Sequence, residues 1–147
     1  MTTETTNRGS RRLGRSVGAV FSGMFTGAVL SLGTDHVLHL LGVFAPWGAV
    51  TQAPGPYLLA ISYRCVYAVL GFYVIARLAP QRPMRHVWIG AAIGMVFSLL
   101  GVVGALTSDM GPVWYPMALV VTVLPCARLT ALLVEQHQTP RLASAVG

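Results

Sequence analysis

Four apolar stretches dominate the chain: Val17 as far as Leu41, Tyr57–Leu78, Val87–Leu106 and Trp114–Val134. Each is long enough to cross a bilayer core as a helix, which takes roughly 20 residues. The segments between them break the pattern in characteristic ways. Phe44–Pro56 carries Pro46, Pro54 and Pro56 with Gly48 and Gly55, a composition that no helix interior accepts, and it is expected to be a loop. Pro80 and Pro83 interrupt the chain after the second stretch, and Asp109-Met110-Gly111-Pro112 makes a short turn after the third. Connections this short force neighbouring helices to run antiparallel. The predicted fold is therefore all-α, a four-helix transmembrane bundle built from two antiparallel hairpins. Residues 17–134 form the membrane domain. Residues 1–16 are polar, lack an apolar period and are expected to be a mobile basic tail, and residues 135–147 form a second polar tail.

Composition adds the class. The chain is 54% hydrophobic and only 10% charged, where soluble domains carry about 25% charged residues. Four spans leave no room for a soluble domain beside them. Ser10-Arg11-Arg12-Leu13 before an apolar run resembles a twin-arginine signal. However, the uncharged run Val17–Thr34 exceeds the 7–15 residues of a signal h-region, and no Ala-x-Ala site follows it. The first stretch is therefore read as an uncleaved anchor.

Charge placement gives orientation. All ten basic residues are arginine. Arg8, Arg11, Arg12 and Arg15 precede the first stretch, Arg77, Arg82 and Arg85 lie between the second and third, and Arg141 follows the fourth. Phe44–Pro56 and Thr107–Pro112 contain none. This alternation is the positive-inside pattern and predicts both termini in the cytoplasm of a bacterial inner-membrane protein. A net charge of +6 would point to nucleic acid in a soluble protein. Here the partners are anionic membrane lipids, each arginine near the surface being worth about 1 kcal/mol, and no nucleic-acid partner is expected. Trp47, Tyr57, Trp114 and Tyr115 at one boundary and Trp88 at the other match the interfacial preference of amphipathic rings.

Small residues recur at four-residue spacing: Ala19, Gly23, Gly27 and Ser31 in the first span, Gly90, Gly94 and Ser98 in the third. Lipid gives helices no hydrophobic reason to associate, so small residues mark close helix contacts. Two readings stand: packing inside the bundle, or a homo-oligomer face through Gly23, Gly27, Gly90 and Gly94. Cys65 and Cys126 are expected at depths differing by roughly 8 Å, too far apart for a disulfide, and to act as small apolar fillers. Ile75-Ala76-Arg77-Leu78 weakly echoes Cys126-Ala127-Arg128-Leu129, but the basic clusters do not keep the same offset.

Candidate chemistry is confined to a few ionisable groups within the spans: Asp35, His36, His39, Arg64 and Arg128. A charge at the centre of a span costs roughly 2.5–3.5 kcal/mol even on lenient insertion scales, so each needs a partner or a route to water. Counted from Arg77, Arg64 lies about 20 Å up a core about 30 Å thick. Asp35, 20 residues after Arg15, falls near the same surface. Side chains lean toward a helix's N-terminus, which aims Arg64 at Asp35. His39 lies one turn above Asp35 and can hydrogen-bond it. Asp35, His39 and Arg64 are thus the candidate ligand or proton site. Asp35, His36 and His39 make a weaker metal alternative, because a closed site needs about four ligands and His86 and His137 belong to the other side. Arg128 is expected to snorkel to the nearer surface, helped by a kink at Pro125. No Ser/His/Asp triad, Gly-rich phosphate loop or CxxC pair occurs, so neither an enzyme nor a cofactor is expected.

The strings Gly33-Thr34-Asp35-His36-Val37-Leu38-His39 and Ala76-Arg77-Leu78-Ala79-Pro80-Gln81-Arg82-Pro83-Met84-Arg85-His86 resemble those of small bacterial four-helix integral membrane proteins. The similarity covers most of residues 17–134. It implies the four-span topology and no mechanism. The leading expectation is a binding or accessory membrane component with a polar site near the external face. The alternative is a small oligomeric transporter or proton-linked permease that uses Asp35, His39 and Arg64.

Reporter fusions at Gly147 and within Thr51–Pro56 are expected to give opposite signals in cells. A periplasmic signal from the C-terminal fusion overturns the four-span topology.

Overall fold

The computed structural model describes the backbone of residues 3–46, 48–108 and 111–143 and the side chains of residues 13–46, 48–108 and 111–136. It contains α1 (Thr3–Leu40), α2 (Pro54–Leu78), α3 (Pro83–Thr107) and α4 (Trp114–Ala143), with no strand among the described residues. The chain is an all-α four-helix transmembrane bundle: all four helices contain segments long and apolar enough to cross a membrane, the shortest being the 23 residues Trp114–Gln136.

Helix limits follow local chemistry, and four differ from the expectation by more than two residues. Residues 3–16 continue α1 rather than forming a separate tail. Nothing between Thr3 and Leu40 breaks a helix, and extending an existing helix adds one hydrogen bond per residue fixed. Residues 135–143 prolong α4 in the same way, and α4 also runs on through Pro125. The expected loop Phe44–Pro56 ends early, because Pro54 begins α2. Proline has a preset φ and lacks only an N–H that the first turn leaves unused. Pro83 opens α3 by the same logic, behind Arg82 in a left-handed conformation (φ 46°, ψ 65°). That conformation costs an ordinary residue about 1–2 kcal/mol. At its far end α1 stops in a Schellman turn: Val43 N–H donates to Leu38 O (3.0 Å), Gly42 N–H donates to His39 O (3.1 Å), and Gly42 takes the positive φ of 71° that the turn requires. Trp47, Asp109 and Met110, expected at the external boundary, lie outside the described residues.

Helices α2 and α3 occupy the short diagonal of the bundle. Each packs against all the others, while α1 and α4 do not meet among the described residues. The tightest contact joins α1 to α2 at two glycines. A methyl placed on Gly71 would stand 2.7 Å from the Gly23 carbonyl oxygen, and one on Gly23 would strike the Gly71 carbonyl and Ile75. Gly90 lies against Ile75 and Phe72 of α2. Three of the four glycines considered for an oligomer face thus meet neighbours within the chain: Gly23, Gly27 (near the Tyr67 carbonyl) and Gly90, whereas Gly94 faces open space. Among the described residues, five of the ten buried apolar residues are alanine, which is how a bundle in lipid gains close dispersion contacts. Large apolar residues such as Phe21, Phe25, Phe97 and Leu100 face outward, as lipid-facing residues should.

Cys65 and Cys126 are closer than depth counting placed them. The Cys126 thiol donates to the Cys65 carbonyl at 3.7 Å, beside Thr130, whose hydroxyl donates to the Cys126 and Val69 carbonyls at 3.0 and 3.3 Å. Both thiols are free. The count assumed that α2 and α4 start level, whereas their parallel packing sets Cys65 beside Cys126 and Val69 beside Thr130.

Gly23→Ala should wedge α1 from α2 and destabilise by about 1–3 kcal/mol, read as a lower Tm in detergent. Gly94→Ala, with nothing within 4 Å of the new methyl, should leave Tm unchanged. Equal losses would refute the assignment of the tight contact to Gly23–Gly71.

Candidate functional site

From one turn beyond the Gly23–Gly71 contact onward, α1 and α2 remain close enough for polar side chains to meet. Gly27 packs on the Tyr67 carbonyl, and the Thr34 and Tyr67 hydroxyls are hydrogen-bonded at 2.9 Å. One further turn of α2 brings Arg64 Nη2 to Asp35 Oδ2 at 2.6 Å. Tyr63 OH donates to the other carboxylate oxygen, Oδ1, so both oxygens of Asp35 are satisfied. The Asp35 side chain is 12% exposed and that of Arg64 32%. A carboxylate this buried is tolerable only when paired and hydrogen-bonded. The structure therefore joins Asp35 and Arg64 as the direction of side-chain lean implied.

His39 also belongs to this cluster. Its Nδ1 donates to the Asp35 backbone carbonyl at 2.7 Å. A carbonyl only accepts, so Nδ1 carries the proton. The ring also meets Phe44 edge-on at 5.4 Å. His36 is exposed, and no group of three His, Cys, Asp or Glu side chains assembles among the described residues. The metal alternative built on Asp35, His36 and His39 is thus not brought together. Arg128 is exposed on α4, apart from the cluster.

Sequence reasoning missed the tyrosines. Besides Tyr63 and Tyr67, the Tyr115 ring lies 5.8 Å from Arg64 Cζ in a cation–π contact. Tyr57 packs on Tyr115 at 5.1 Å and donates its hydroxyl to the Thr51 carbonyl at 2.9 Å, which ties the α1–α2 loop to α4. A signal was present: tyrosine hydroxyls within a span need partners, and Tyr63 and Tyr67 share the α2 face that carries Ala60 and Gly71. Tyr57 and Tyr115 had been assigned only to the interface.

The surroundings are open on three sides of Arg64. One cleft of about 180 Å³ is lined by Asp35, His39, Phe44, Thr51, Tyr57, Arg64 and Tyr115. A second, of about 360 Å³, lies between Tyr57, Arg64, Ser98, Pro112 and Tyr115. The third, about 210 Å³, runs inward along Gly27, Ser31, Cys65, Gly94 and Cys126 to Ile75 and Gly90. Arg64 lines all three. Its Nε is buried and meets no acceptor among the described residues. A buried N–H without a partner is costly. Comparison with known proteins found no matching family model, no matching curated protein and no matching solved structure.

Removing one partner of a buried ion pair typically costs about 3–5 kcal/mol. Asp35→Asn and Arg64→Leu should each cost less than that, because a third of Arg64 remains exposed and screened. The double variant should recover part of the loss, and Tyr63→Phe should cost about 1 kcal/mol. Thermal melts in detergent measure all four. Strictly additive losses for Asp35→Asn and Arg64→Leu would show that the pair contributes no coupling.

Proposed function

We propose that this chain is a small bacterial inner-membrane protein, with its arginine-rich end in the cytoplasm, that binds a small polar ligand bearing an acceptor group at its external face. The observation that carries this reading is Arg64. Its guanidinium is held on one edge by Asp35, stacked on Tyr115, and buried at Nε without an acceptor among the described residues. It stands where two outer clefts and an inner cavity converge. A positively charged fork whose orientation is fixed before binding loses little entropy on taking a carboxylate or similar group. A cleft of about 180 Å³ limits that ligand to a few heavy atoms. The role proposed is that of a binding or accessory component.

One observation favours a second reading, a proton-linked or solute permease. Because Arg64 lines both the outer clefts and the inner cavity, opening the Asp35–Arg64 pair would join them, and such a device could gate a path through an oligomer. Thr34, Tyr63 and Tyr67 would then offer alternative partners to the separated charges.

Thermal-shift screening of the purified chain against small carboxylates and amino acids tests the binding reading. A ligand at 100 times its Kd stabilises by about 2.7 kcal/mol, and Arg64→Gln should abolish that shift. Proteoliposomes carrying an internal pH indicator test the second reading. Flux in the natural chain that disappears in Asp35→Asn would establish the permease and displace the binding role. A shift that survives in Arg64→Gln would remove Arg64 from the site.

A further inference from the structure

The opposite end of the bundle holds a larger cleft that the Arg64 site does not use. It measures about 670 Å³ and opens between the first described turns of α1 and the turn that joins α2 to α3. Arg15 comes from α1, and Arg82, Arg85 and His86 from the turn and the start of α3, all lining one space. Among the described residues no lining residue is acidic, and none of the three guanidinium groups meets a carboxylate. Like charges around one cleft repel unless an anion lies between them. On the span side of these basic residues Ile89 of α3 is 44% exposed, and Leu13, 72% exposed, adds an apolar side chain at the outer edge beyond Arg15.

Two further features fit an anion. Arg82 holds the left-handed conformation that directs the chain into α3, and no side chain caps that helix N-terminus, where the backbone dipole favours negative charge. His86 donates from Nδ1 to the Arg82 carbonyl at 3.3 Å, which braces the turn. Cationic wall and span-side apolar surface together describe an amphiphile, with its charged group among the arginines and its chain running past Ile89 toward the spans.

We propose that this cleft binds the phosphodiester headgroup of an anionic phospholipid. Arginine suits phosphate because its planar fork can donate two parallel hydrogen bonds. Soluble phosphate shares that chemistry but has no use for the apolar surface, so the two sources separate by experiment. The site is independent of Arg64, and its failure would leave the external site untouched.

The full chain, purified in detergent and stripped of lipid, is titrated with phosphatidylglycerol, phosphatidylcholine or inorganic phosphate, with bound species read by native mass spectrometry. Phosphatidylglycerol should bind about tenfold or more tightly than phosphatidylcholine, and each arginine removed should weaken it about fivefold. Arg85→Gln and the double variant Arg82→Asn/Arg85→Gln supply that series. Asparagine tolerates the left-handed conformation, so Arg82→Asn should keep Tm while losing affinity, which separates folding from binding. Arg77→Gln, outside the cleft, should bind as the natural chain does. Equal retention of both lipids, full displacement by inorganic phosphate at matched concentration, or an equal loss in Arg77→Gln would each overturn the lipid site.

Discussion

A carboxylate and a guanidinium have to be accommodated inside a bundle that lipid surrounds, and much of the structure beyond Gly23 follows from that requirement. Charge within a span is costly, and the cost falls only when the partner is near and the remaining lone pairs are bonded. Asp35 reaches Arg64 at 2.6 Å because α1 and α2 have already been drawn together at Gly23 and Gly71, where backbone meets backbone. Tyr63 and the turn at Gly42 complete the enclosure, one by satisfying the second carboxylate oxygen, the other by ending α1 one residue beyond His39.

The same close approach has a consequence elsewhere. Drawing α1 onto α2 and α3 leaves it out of contact with α4 among the described residues, and the inner cavity is lined by residues of all four helices, with no atom near the Cβ position of Gly94. Tight packing on the N-terminal half of α1 and looseness around Arg64 are therefore two sides of one arrangement. A bundle evenly filled with leucine would be drier and more stable, and would lack the converging clefts on which a ligand or a gate depends.

The two ends differ in kind. At one, a single arginine is paired, stacked and partly buried. At the other, three arginines from α1, the α2–α3 turn and the start of α3 line a cleft with no acidic residue among the described lining. A buried, paired arginine acts through geometry and low dielectric, whereas exposed arginines act through summed charge that salt screens. The proposed ligands differ accordingly, a small acceptor-bearing solute in the first case and a headgroup in the second.

The sequence by itself determined the four spans, the segregation of arginines to one end and the singling out of Asp35 and Arg64, because span length, charge asymmetry and the cost of isolated charge depend on composition along the chain alone. It also indicated the pairing of Asp35 with Arg64, since depth and the lean of side chains are properties of single helices. Only the tertiary structure decided which faces meet. The adjacency of Cys65 and Cys126, the service of Tyr63 and Tyr115 to the ion pair, the use of Gly23, Gly27 and Gly90 within the chain and the openness at Gly94 all depend on how helices are offset and rotated against one another. Helix rotation and offset arise from many small side-chain contacts acting together, so no periodicity within one span can specify them.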